Sequence, residues 1–320
     1  MLPPPLPRVL GDRFRVADAL RAGAGTNRLR KPDLDRPFHG VRALRERAST
    51  VVDFDAFGQP RGELERRHLR RAFDYSVCMT EHEFFCHTTA AVIWGLPLPP
   101  ELLRAPGLDV AVLAPRRLPR GVGIRGHQAV PKLTRRASEP RSGLSVTSPA
   151  TTWAMLARTL RDPRDLVAVG DAVVREWRVA EPLATRADLE AALAAGRRIG
   201  IGRLREALPY VRTGSASRPE TRTRLELIDA GLPEPSLNFD IYVDDVRLAC
   251  VDLAYPALKI AIEYEGEHHL LSPAQWARDI ERYDRLRAAG WCVIRVTKIE
   301  LFSHPDRLVR RVAVAIASRR

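Results

Sequence analysis

Two hydrophobic periods alternate along the C-terminal part of the chain. Apolar and polar positions alternate near Leu237 to Val243, Arg247 to Ala254 and Leu258 to Glu265, which predicts strands, because successive strand side chains point to opposite faces. Apolar residues at helical spacing predict helices over Pro219 to Ala230, Pro273 to Ala289 and Pro305 to Ser318. In the middle helix Trp276, Ile280, Tyr283 and Leu286 form the stripe expected to face the core, joined by Trp291. Asp244 and Asp245 supply the first hairpin turn, Gly231 and Gly290 stop the helices before them, and WCVIRVT adds a strand. The predicted order is αβββαβα.

Upstream the pattern is mixed. Short helices are expected near Val9 to Arg21 and Glu63 to Phe73. A helix starts at His87 to Thr89 and ends at Gly95 before Pro97, and strands follow around Leu108 to Leu113 and Gly123 to His127. Thr147, Ser148 and Pro149 open a helix through Trp153 to Leu160, since a hydroxyl residue before proline suits a helix entry. Further helices span Pro163 to Arg175 and Ala184 to Ala194. The fold class is therefore α/β (α+β). We divide it into an arginine-rich, winged-helix-like segment 1–74, a mixed α/β region 75–212 and a C-terminal domain 217–320.

Composition narrows the function classes. The chain has 320 residues, 52 basic and 39 acidic side chains and a formal charge of +13. Lysine occurs only at Lys31, Lys132, Lys259 and Lys298, so arginine carries the charge. Residues 221–320 hold 15 basic and 15 acidic side chains, which places the whole excess in the first 220. Such an excess attracts a polyanion, DNA or RNA. Cys78, Cys86, Cys250 and Cys292 lack CxxC spacing, which argues against a structural zinc site and fits free thiols in a reducing cytoplasm. No apolar run reaches the ~18 residues that a membrane span needs, and the first residues lack the order of a signal peptide. A cytoplasmic protein without membrane contact is expected.

Candidate chemistry gathers on the hairpin Cys250 to His269. Alternation brings Asp252 on one strand together with Glu263 and Glu265 on the next, while Ile260, Ile262 and Tyr264 take the other face. Three carboxylates on one face repel unless a cation or hydrogen-bond donors compensate. Hard oxygen ligands of this kind suit Mg²⁺ or Mn²⁺, and metal-assisted phosphodiester hydrolysis is the chemistry that follows. Asp279 and Arg282, three apart on a helix, allow either a surface ion pair or a phosphate contact. His268 is expected to face solvent.

Two resemblances extend this reading. HGVR at His39 to Arg42, CHTTAAVIWGLPLP from Cys86, RGHQ at Arg125 to Gln128, and SVTSPATTWAMLA leading to VAVGDAVVR resemble the winged-helix antitoxin family of abortive-infection type IV toxin-antitoxin systems. The likeness covers residues 25 to 180. It implies DNA binding, repression of an operon and a cognate toxin as partner; Thr151 and Thr152 stand where that family has an Arg-Thr pair. His87 and His127 read as structural histidines rather than catalytic ones.

The C-terminal segment resembles the PD-(D/E)XK nuclease superfamily, and more closely the bacterial domain family related to very-short-patch-repair endonucleases. The matching residues are Asp252; Glu263, Glu265, Gly266 and His269; Asp279 and Arg282; Gly290 and Trp291; Arg295; and, upstream, Glu220. The resemblance implies a restriction-endonuclease-like αβββαβ domain in which Asp252 is the main metal ligand. Glu263 or the Tyr264 carbonyl would complete the shell, and Glu220 would position the attacking water. Glu265 stands where the superfamily has lysine, so charge stabilisation passes to His269, Arg282 or Arg295. His269 is also the candidate general acid.

The expected function is a Mg²⁺-dependent endonuclease acting on DNA, in repair or phage defence, with RNA cleavage allowed by the same chemistry. The alternative is a non-catalytic, antitoxin-like DNA-binding regulator whose nuclease fold only grips nucleic acid. A homodimer is the assembly that double-strand cleavage would need.

Overall fold

The computed structural model describes residues 4–45, 54–105, 107–266 and 273–319, with the side chains of 273–279 excepted. Among these residues the fold is mixed α/β, with twelve helices and three sheets. The chain forms two compact units, one of residues 1–161 and 186–204, the other of residues 162–185 and 205–320.

The first unit carries two sheets. Strands β1 (Arg13–Arg15), β2 (Leu34–Asp35) and β3 (Val41–Leu44) pair in the antiparallel order β1-β3-β2. Helix α1 occupies Val16–Arg21, shorter than expected because Arg13 to Arg15 are drawn into pairing with β3. Phe14, Ala19, Leu29 and Leu34 fill the small core between them.

Helix α2 (Glu63–Ser76) leads to the second sheet, built from β4 (Phe84–Phe85), β5 (Leu108–Leu113), β6 (Ile124–Ala129), β7 (Arg136–Ser138) and β8 (Ser145–Thr147) in the order β6-β5-β4-β8-β7. Helices α3 (His87–Trp94) and α4 (Pro100–Arg104) lie between β4 and β5 in the chain, and α5 (Pro149–Leu156) follows β8. The expected serine entry to α5 is present: the Ser148 hydroxyl accepts from the Thr151 N–H. Gly95 ends α3 at φ +76°. A side chain there would also place its Cβ 2.9 Å from that of Asp55, so both backbone and space demand glycine.

Helix α6 (Pro163–Val173) belongs to the second unit, α7 (Arg186–Ala194) to the first, and α8 (Ile201–Ala207) follows. The C-terminal elements are α9 (Arg218–Asp229), β9 (Ser236–Val243), β10 (Val246–Tyr255), β11 (Ile260–Glu265), α10 (Pro273–Ala288), β12 (Cys292–Thr297), α11 (Lys298–Ser303) and α12 (Pro305–Ala317). This is the predicted αβββαβα order with one added helix, α11, capped by the Thr297 hydroxyl. The sheet runs β12-β11-β10-β9, antiparallel except for the parallel pair β11 and β12. Asp244 and Asp245 turn the first hairpin with φ of +49° and +62°, the left-handed pair that suits the twist of flanking strands. Strand β11 begins at Ile260 rather than Leu258 because Pro256–Leu258 forms a 3-10 turn and Lys259 takes φ +47°.

Both faces of this sheet are covered. Ile260, Ile262, Leu253, Ile294 and Val296 pack with Leu227, Leu308 and Val312 from helices α9 and α12. On the other face Ala261, Ala254 and Val251 pack with Tyr283, Leu286 and Trp291. Ile280 departs from the expected stripe and is 40% exposed. At about 100° per residue it lies roughly 120° around the helix from Leu286, outside the buried sector.

A buried ion pair ties α6 to α9. Arg224, fully buried, contacts Asp171 at 3.1 Å and Glu234 at 2.9 Å, and donates to the Tyr210 carbonyl at 2.8 Å. Asp171 also accepts from the Thr221 hydroxyl and the Arg212 N–H, each at 2.7 Å. Removing Asp171 leaves the buried Arg224 guanidinium with Glu234, a partly exposed carboxylate, as its remaining acidic partner and strips the acceptor from the Thr221 hydroxyl and the Arg212 N–H. Asp171→Ala is therefore expected to lower the unfolding free energy by about 3 kcal/mol, read as a lower urea midpoint at unchanged slope.

Candidate active site

The hairpin register sets the site. Leu253 on β10 faces Ile262 on β11, so the next position outward sets Asp252 opposite Glu263. Glu263 in turn pairs in register with Arg295 on β12. On the other side Asn238 lies on β9 between the pairs Leu237 with Leu253 and Phe239 with Val251, at the level of Asp252. Asn238, Asp252, Glu263 and Arg295 thus form one row across four strands.

Each acid has its own surroundings. Asp252 Oδ2 accepts from the Tyr264 N–H at 2.8 Å, which orients the carboxylate toward the neighbouring strand. Glu263 is buried; its Oε2 accepts from the Arg282 guanidinium and, at 3.4 Å, from the Tyr283 hydroxyl. Its Oε1 is buried with no hydrogen-bond partner among the described residues. Burial pushes the Glu263 carboxyl up to about 7, with Asp252 adding to the rise and Arg282 opposing it.

Glu220 reaches the row from the first turn of α9, whose N-cap Ser217 accepts from the Glu220 N–H. Its Oε2 accepts from the Ala216 N–H and from the Asn238 amide, both at 2.8 Å. Burial raises its pKa well above the ordinary carboxylate range, and the charge of Asp252 raises it further. Asp252, Glu263 and Glu220 are therefore one electrostatic group.

The remaining candidates behave differently. Glu265 is half-buried and pairs with Arg295, not with the acids, so the position expected to hold lysine holds a neutralised carboxylate. Arg282 stands on Glu263, 4.9 Å over the Tyr283 ring, and Arg295 lies 5.2 Å over the same ring. Trp291 is buried as expected. His268 and His269 lie outside the described residues, as do the side chains of Trp276 and Asp279.

Sequence reasoning missed Asn238 as a site residue and took Tyr283 as core alone. Tyr283 is indeed buried among Leu286 and Trp291, but its hydroxyl reaches Glu263. Asn238 carries a signal: asparagine is disfavoured within strands, and here it adopts φ +44°.

The donor set fits a hard divalent cation. A buried carboxylate oxygen without a partner, beside a second carboxylate, is what such an ion would satisfy. Burial first, and the charge of Asp252 besides, raise both Glu220 and Glu263 toward neutrality, and a bound cation would oppose that rise.

No family model matches the chain, and no solved structure matches it. Two uncharacterized proteins of Mycobacterium tuberculosis do: MT2308 of strain CDC 1551 / Oshkosh and Rv2248 of strain ATCC 25618 / H37Rv, each 34% identical over 246 residues, 77% of this chain and 85% of the relative. The chain belongs to their family. In this chain the acids lie in the second unit, together with every residue that contacts them above.

The raised acids carry a pH signature. Because the folded pKa of Glu220 lies above its unfolded value of ~4.3, folding gains from its proton below that value and loses the gain as pH climbs through the folded pKa. Glu220→Gln is expected to be about 1–2 kcal/mol more stable than wild type at pH 8 in metal-free buffer, and equal to it near pH 4. Urea unfolding at the two pH values checks this.

Proposed function

We propose that the C-terminal unit is a metal-dependent nuclease that hydrolyses phosphodiester bonds of DNA. The observation that carries the reading is the buried Oε1 of Glu263 beside Asp252, without a hydrogen-bond partner among the described residues. The αβββαβ order and the row of acids on adjacent strands support it. Asp252 and Glu263 would hold Mg²⁺ or Mn²⁺, which supplies a water of lowered pKa and charge to offset the phosphate.

The chain's own residues do the rest. Glu220, anchored at Oε2 by Asn238 and the Ala216 N–H, lies next to Asp252 with a carboxyl raised toward neutrality, the setting of a base that takes a proton from water. Arg282 and Arg295 stand at the margin of the row; a guanidinium there can pair with a phosphate oxygen in place of a carboxylate. The Tyr283 ring lies under both guanidinium groups. The excess positive charge of the first 220 residues would bring DNA to the protein. This reading sets the protein in the cytoplasm, in DNA repair or phage defence.

One observation favours a second reading, a DNA-binding regulator without catalysis. Arg282 already pairs with Glu263, and Glu265 replaces the expected lysine while pairing with Arg295. A guanidinium can stand in for the metal's charge without activating water. An antitoxin-like role would add a cognate toxin as partner.

Cleavage of supercoiled plasmid and of labelled single-stranded DNA and RNA, with Mg²⁺, Mn²⁺ or EDTA, separates the two. Wild type is expected to cut DNA only with metal, and Asp252→Ala to lose at least ~100-fold in rate, the scale of one removed electrostatic stabiliser. Retained DNA binding with no cutting under any metal would leave the regulator.

A further inference from the structure

A second cluster of ligand-type side chains lies in the first unit, apart from the acids. Cys86 lies between the short strand β4 and helix α3 and is fully buried, its N–H donating to the Asp109 carbonyl at 3.0 Å. His87 opens α3 at φ +45°, a left-handed conformation uncommon for a residue other than glycine. Its Nδ1 lies 3.2 Å from Cys86 Sγ. His127, on β6 in register with Ala111, brings its ring to 4.3 Å from that of His87, centroid to centroid. One ligand atom from each of Cys86, His87 and His127 falls within 4.8 Å of the others.

What surrounds the three is also particular. His127 Nε2 lies 2.9 Å from Asp109 Oδ1. Asp109 is only 3% exposed, and Arg125 grips it with two hydrogen bonds of 2.8 Å. A carboxylate on one imidazole nitrogen fixes the tautomer and leaves Nδ1 as the donor, the arrangement that orients metal-bound histidines. Strand β6 also runs close against the segment before it: a Cβ on Gly126, between Arg125 and His127, would come within 2.0 Å of the Pro119 carbonyl oxygen.

We propose that Cys86, His87 and His127 form a binding site for a borderline-soft transition metal ion of the Zn²⁺ class, with Asp109 as the positioning residue for His127. A thiolate and two imidazoles select such an ion over Mg²⁺. Three protein ligands leave a fourth tetrahedral position for water, on the side where the two imidazoles are only half-buried. Binding converts the Cys86 thiol to thiolate, and its proton leaves to solvent. The spacing of the cysteines conceals the site, because two of its ligands are histidines and one of those comes from another strand. The proposal stands apart from the nuclease reading, which concerns the other unit.

The test is titration of the metal-free full-length protein with Co²⁺ alone, followed by displacement with Zn²⁺. Wild type is expected to show a near-ultraviolet sulfur-to-cobalt charge-transfer band that Zn²⁺ abolishes. Cys86→Ala should lose the band, and Asp109→Asn should weaken binding 10- to 100-fold, as loss of an orienting carboxylate does. Because Cys86 and Asp109 are buried, His87→Gln, at a half-buried ring, is tested beside them with thermal melting as a control of folding. Absence of the band in wild type, or equal Co²⁺ affinity in a folded His87→Gln variant, would overturn the site.

Discussion

The antiparallel register of β10 against β11, with Leu253 facing Ile262 and Tyr255 facing Ile260, is the constraint on which the C-terminal unit depends. Those residues join Leu227, Leu308 and Val312 in one core. The alternate positions pass to the other face, where Ala254 and Ala261 lie under Tyr283 and Leu286. A slip of β11 by one residue would exchange its faces, turning Glu263 into the first core and Ile262 out of it. The hydrophobic burial that fixes the sheet is thus also what holds two carboxylates side by side.

That juxtaposition has an electrostatic cost which the fold meets in different ways at different places. Asp171 and Asp109 are each matched by a guanidinium and further donors: Arg224, Thr221 and the Arg212 N–H for one, Arg125 and His127 for the other. Among the described residues Glu263 receives Arg282 and Tyr283 on one oxygen, and Glu220 receives an amide and a backbone N–H but no cation. The fully matched carboxylates are structural ties. Burial raises Asp171 as well as Glu220 and Glu263, so it is the incomplete set of donors around the latter two that leaves room for chemistry.

Arginine suits this scheme. With four lysines in the chain, almost every buried or half-buried cation is a planar fork able to bind a carboxylate and stack on a ring together, as Arg282 and Arg295 do on Tyr283. The same property lets a guanidinium exchange a carboxylate for a phosphate without losing its place on the ring.

The sequence by itself determined what is local. Period-two alternation located β9, β10 and β11, hydroxyl and proline positions located the start of α5, and paired aspartates located the turn at Asp244 and Asp245. It also set Asp252 and Glu263 on one face, because strand alternation is a property of the backbone. Tertiary structure alone decided which partner each charge meets: Arg282 on Glu263, Arg295 on Glu265, Asn238 on Glu220, and α6 brought to α9 through Asp171 and Arg224. It also gathered Cys86, His87 and His127, and it left Ile280 in solvent where spacing had predicted core. These contacts join positions far apart in the chain, and no period or cap encodes them. They follow from how sheets and helices pack once the core has chosen its register.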